Sequence, residues 1–193
     1  MPNTEIQQIH FSDATAWRKW LLENHATADG VWMICFNKKS GRPSVPWTEA
    51  VDQALCFGWI DSIKQSVDEH SSVQFFGKRK AKSTWSKINK QKIEQLIASG
   101  LMAAAGFRAI AIAKENGSWT VLDEVEAFHI PADLEAALMK APEAYSFFSN
   151  LSKSSRKALL QWTVLAKKPE TRRRRIEEIA AAAALGTKPT PFR

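Results

Sequence analysis

The chain has 193 residues, of which 45% are hydrophobic and 24% charged, and it carries a formal net charge of +7. That length and composition suit a folded core in one domain or two small ones and exclude disorder across the whole chain. The longest apolar run, Ile179 to Leu185, is far shorter than the ~20 residues a membrane-spanning helix requires.

Cys35 and Cys56 sit in apolar runs with no metal-like or redox-like spacing. They read as buried free thiols, which fits a reducing compartment. Met1 to His10 has no basic start followed by an apolar stretch, so no secretory signal is expected and a cytoplasmic location is.

In chain order, Ser12 or Asp13 is positioned to cap a helix to about Asn24, with Trp17, Trp20 and Leu21 on one face. Gly30 opens the β-rich run Val31 to Phe36. Lys38 to Pro43 is a polar turn, and Pro46 starts a helix to about Phe57 that Gly58 stops. Trp59 to Val67 alternates as a strand, with Ser72 to Phe76 as its partner across a turn. After residue 85 every periodic segment reads as helix: Lys87 to Ser99, Ala103 to Glu115, two that open at Pro131 and Pro142, Ser152 to Lys167, and Pro169 to about Leu185.

The predicted fold class is therefore α+β. A small antiparallel sheet with two helices occupies residues 1–85, helices occupy 86–185 in the same or a second domain, and 186–193 form a mobile tail.

The basicity is local. Residues 78–92 carry seven Lys/Arg and no acid; residues 167–175 carry six and one acid, leaving the rest of the chain at −5. Clustered charge makes an anionic partner more credible than a high isoelectric point alone would. In the last helix, Arg172, Arg173, Arg174 and Arg175 occupy the first turn, where the helix dipole disfavours cations. That placement calls for a bound anion or an acidic neighbour, unless the run is simply a solvated face.

The stretch Phe76 to Asn89 runs from a strand end into a helix start. Arg79 and Lys82 supply charge, Ser83 and Ser86 hydroxyls, Asn89 an amide, Trp85 a stacking face, and the helix N-terminus free N–H groups. That is the inventory of a phosphate or carboxylate site, with Asp61 placed to orient Arg79 in a two-pronged contact. The alternative is a capped helix with a Trp anchor and a structural Asp–Arg pair.

Three segments carry a resemblance. Ala54 to Asp61 (ALCFGWID) is similar to a signature of the YdeI/OmpD-associated (OmdA) family of bacteriocin-protection proteins. Phe76 to Asn89 looks like that family's FTPRRPKSNWSKIN stretch, with Lys78 and Ala81 in place of its prolines and Thr84 in place of its asparagine. Ala166 to Ile176 resembles its AKRPETRxRRI segment. The resemblance runs from about Phe11 to Leu185. It implies a link to resistance against bacteriocins and cationic antimicrobial peptides and a periplasmic family description, and it brings no catalytic residues. A +7 protein repels cationic peptides, so an indirect, cytoplasmic role is expected.

His10, His25, His70 and His129 are far apart, without a partner at i+3 or i+4, so no metal or other cofactor is expected. There is no glycine-rich phosphate loop and no G-x-S-x-G elbow. The leading expectation is a non-catalytic binding protein for a small anionic ligand. The alternatives are nucleic-acid binding through 78–92 and 167–175, and an enzyme on a small acid or amide using Asp61 and Arg79. Membrane insertion is not expected, and the last helix, whose apolar face is mostly alanine, suits membrane-surface attachment poorly.

Overall fold

The computed structural model describes residues 6–192. It divides into two compact units, 1–119 and 120–193.

The first unit is α+β, as its patterning predicts. Its elements are β1 (Gln8–His10), α1 (Ala14–Asn24), β2 (Gly30–Phe36), α2 (Trp47–Cys56), β3 (Trp59–Ser66), β4 (Ser71–Lys78), α3 (Lys87–Ala98) and α4 (Ala104–Glu115). The sheet order is β1-β2-β4-β3. The expected hairpin β3–β4 is antiparallel, and so is β2–β4, whereas β1 pairs with β2 in parallel. Three residues are too few for alternation to announce a strand, so β1 is an addition to the expected sheet.

Local signals set most boundaries. Asp13 caps α1 by accepting the Ala16 N–H at 2.9 Å, and Ser86 caps α3 by accepting that of Asn89 at 3.2 Å. Gly58 ends α2 with φ +71°, a left-handed conformation that suits glycine.

Trp17 and Leu21 of α1, Val31 and Met33 of β2, Phe76 of β4, Trp59 of β3 and Ala54 to Cys56 of α2 form a buried core with Ile93, Leu96, Ile110 and Ala113. Two of the buried indoles have their N–H groups satisfied: Trp17 donates to the Ala50 carbonyl at 2.9 Å and Trp59 to that of His25 at 3.2 Å. On α3, Ile93 and Leu96 are buried, while Ile88 is 63% exposed.

α3 and α4 supply core side chains to the sheet unit, and the compact units divide after Trp119. Secondary-structure type changes at 86; packing continues past it.

The second unit is helical: α5 (Asp123–Glu126), α6 (Ala132–Leu138), α7 (Pro142–Asn150), α8 (Lys153–Val164) and α9 (Pro169–Ala184). Leu134, Leu138, Phe148, Leu159, Leu160, Ile176 and Ile179 make its core. Described residues of the C-terminal tail make contacts in this unit. Pro189 is buried, and the Phe192 ring meets Trp162 edge-on at 5.3 Å. No helix among the described residues is long and apolar enough to cross a membrane.

Candidate functional site

The exit of β4 is tied to the end of α2, where the Arg79 N–H donates to the Gly58 carbonyl at 3.0 Å. The chain then turns through Lys80 to Ser83, closed by the Ser83 N–H on the Lys80 carbonyl at 2.8 Å. Asn116 and Ser118 donate to the Ala81 carbonyl at 2.8 and 3.2 Å, holding the turn against the end of α4.

Arg79 folds back over this turn. Its Nη2 donates to the Thr84 carbonyl at 2.6 Å, and its guanidinium carbon lies over the Trp85 ring, 3.6 Å from the centroid. Trp85 is 2% exposed and packs on Trp119 at 5.0 Å between centroids. The Nε and Nη1 of Arg79 are buried with no hydrogen-bond partner. Burial pushes the guanidinium down to about 10, an effect the charge of Asp61 opposes.

A pocket of about 250 Å³ opens beside this group. Arg79, Lys80, Ala81 and Trp85 line one side, and Ala105, Arg108, Ala109 and Ile112 of α4 the other. Three cations and no acid face it. Crowding cations in a concavity raises the local concentration of anions, and the volume lies just below the ~300–1,000 Å³ of drug-sized ligand pockets. It suits inorganic phosphate or a small carboxylate better than a nucleotide.

Of the seven residues expected at the site, Arg79 and Trp85 meet at this pocket; Asp61, Lys82, Ser83, Ser86 and Asn89 do not line it. The two-pronged Asp61–Arg79 contact is not formed, since the one hydrogen bond of the Arg79 side chain goes to Thr84. Asp61 accepts instead from the Trp47 indole at 2.9 Å. The Ser86 hydroxyl is engaged as the α3 cap, and Lys82 is exposed. Trp85, read as a stacking face, is a core residue whose ring carries Arg79.

The basic stretch 78–92 is dispersed in space. Lys78 donates to the Ala26 carbonyl at 2.9 Å, and Lys92 pairs with Asp52. Sequence reasoning missed Arg108. Its signal was faint: a lone cation in an alanine- and glycine-rich helix, whose small side chains let α4 approach closely.

The arginines of α9 have found an acidic neighbour. Arg172 grips Asp133 of α6 with two prongs, Nε to Oδ2 at 2.6 Å and Nη2 to Oδ1 at 2.8 Å. The guanidinium holds the Asp133 carboxyl below its ordinary value by hydrogen bonding and charge. Arg175 donates to the Trp162 carbonyl and stands over its ring at 5.0 Å. Arg173 meets Glu177 at 4.0 Å, and Arg174 is exposed. Two of the four thus have structural employment within the second unit.

Among the described residues no cluster of metal-ligating side chains occurs. Residues 9–109 match a family model described as a domain of unknown function, DUF8412. Residues 127–186 match the model described as Bacteriocin-protection, YdeI or OmpD-Associated, OmdA. The likeness read from three motifs is therefore divided: 54–61 and 76–89 lie in the first match, 166–176 in the second. Comparison with curated proteins and with solved structures gives no match.

Proposed function

The chain belongs to the DUF8412 family through residues 9–109, followed by an OmdA match over 127–186, and on that footing we propose a non-catalytic binding protein for a small anion. The ligand sits between Arg79, Lys80 and Arg108, against the edge of Trp85. One observation carries the reading: a guanidinium desolvated enough to lower its pKa to about 10, with two nitrogens unpartnered, beside a pocket lined by further cations and no acid. A buried guanidinium with only part of its hydrogen-bonding capacity met carries a desolvation cost of up to several kcal/mol, by order of magnitude, which an arriving anion offsets. Sites that retain such a cost are candidate functional sites.

The two unpaired thiols suit a protein that works inside the cell, and the OmdA match supports an indirect part in protection against bacteriocins.

Thermal-shift titration of the full chain with inorganic phosphate and small phosphorylated metabolites tests the site. Phosphate is expected to raise the melting temperature in proportion to log concentration once above its dissociation constant. Arg108→Ala, an exposed change, should remove most of that response. An Arg108→Ala protein that responds as the parent does would place the ligand elsewhere.

A further inference from the structure

The helix-covered face of the sheet changes character along its length. Strand register sets residues abreast in three rows: Val31, Phe76 and Asp61; Met33, Gln74 and Lys64; Cys35, Ser72 and Ser66. Alternation places all three rows on the face that carries the buried core. The sequence of rows runs from apolar to polar.

A bulge in β3 produces this. Asp61 pairs with Phe76 and Lys64 with Gln74, so three steps of β3 match two of β4. Without the extra residue, Ile63 and Gln65 would face inward. With it, Lys64 and Ser66 do, and Ile63 and Val67 stand 56% and 61% exposed. Turning an isoleucine outward to bring a lysine and a serine inward opposes core formation. The bulge is held by Gln74, 3% exposed, whose amide donates to the Ile63 carbonyl at 3.2 Å.

The polar rows and the 37–47 segment enclose a cleft of about 760 Å³. Trp47 stands in its wall, 55% exposed and anchored through its indole N–H on Asp61. The cleft shares no lining residue with the Arg79 pocket.

Its chemistry differs as well. Ser66, Ser72 and Gln74 are neutral and both donate and accept hydrogen bonds, which matches ligand hydroxyls and amides better than an acceptor-only carboxylate. Lys38 and Lys64 are balanced by Asp68 and Glu69, so no net field selects an ion. An exposed indole offers a flat apolar face to the C–H groups of a ring. We propose that this cleft binds a neutral, polyhydroxylated ring compound of mono- or disaccharide size, with the ring against Trp47 and its hydroxyls on Ser66, Ser72 and Gln74.

Cys35 lines the cleft and is half-buried, whereas Cys56 is buried, so alkylation of Cys35 reports occupancy. The experiment measures the iodoacetamide reaction rate of Cys35 in the full chain by mass spectrometry, in mildly alkaline buffer. Probes are maltose, sucrose, trehalose, galactose and N-acetylglucosamine, with inorganic phosphate as the contrasting arm. At least one sugar should slow alkylation saturably, about tenfold at ten times its dissociation constant, and phosphate should not.

Trp47→Ala should abolish the protection; Ser72→Val, which keeps the indole, should weaken it and guards against a Trp47 variant that fails to fold. The proposal is overturned if no sugar slows the reaction, if phosphate protects equally, or if both folded variants are protected as the parent is.

Discussion

A Cβ added to Gly106 would stand 2.4 Å from the carbonyl oxygen of Cys56, so α4 crosses the end of α2 at backbone contact. The same crossing is fastened by the Ala103 N–H, which donates to that carbonyl at 3.0 Å. It sets the height of Ala105, Arg108 and Ala109, one wall of the Arg79 pocket. Gly106→Ala should therefore lower stability by about 1–3 kcal/mol, the usual range for overpacking, and also weaken the phosphate response. Chemical denaturation and the phosphate titration check the two effects separately.

Arg79→Met keeps the length and apolar stem of the side chain and removes its charge. Since replacing a poorly paired buried charge by a hydrophobe is often neutral or stabilising, the variant should melt within about 1 kcal/mol of the parent or above it, yet lose phosphate binding. The pH dependence has a definite sign. The folded Arg79 pKa, about 10, is below the ordinary arginine value because burial disfavours the charge, so above about 10 the unfolded chain binds more protons. Parent stability relative to Arg79→Met should then rise as pH passes upward through about 10. Paired denaturant titrations across that window read the difference.

Ser86→Ala separates a helix cap from a ligand contact. Loss of the hydroxyl that accepts the Asn89 N–H should cost about 1 kcal/mol and leave the phosphate response unchanged. A lost response in a folded Ser86→Ala protein would return the hydroxyl to the ligand.

The Arg172–Asp133 pair should show a coupling of about 0.5–1 kcal/mol in a double-mutant cycle, at the upper end for a partly exposed pair because the contact is bidentate. Asp133 is held below its ordinary value, so this contribution is complete above the unfolded carboxyl pKa. It is lost as pH falls through the folded one. The coupling should be constant near neutrality and vanish in acid.

Elements with a local cause were readable in the chain. Asp13 and Ser86 announce helix starts because a short oxygen side chain reaches free N–H groups in its own turn, and Gly58 announces a stop because its φ is positive. The β3–β4 hairpin was equally legible from alternation, although the bulge was not: one extra residue inverts which side chains face inward, and period-2 counting has no term for it.

The charge clusters illustrate the limit. Residue order alone showed that cations gather in 78–92 and 167–175, and that Arg79 and Trp85 stand close together in the chain. Tertiary packing decided that Arg79 lies over Trp85, that Asp61 serves Trp47, that Arg172 belongs to Asp133, and that Arg108, 29 positions from Arg79 in the chain, completes the pocket wall. The reason is physical: caps, turns and helix periods depend on neighbours within a few residues, whereas the partner of a charge is whichever group the folded backbone carries to within hydrogen-bond reach, and that distance is written in no local stretch of sequence.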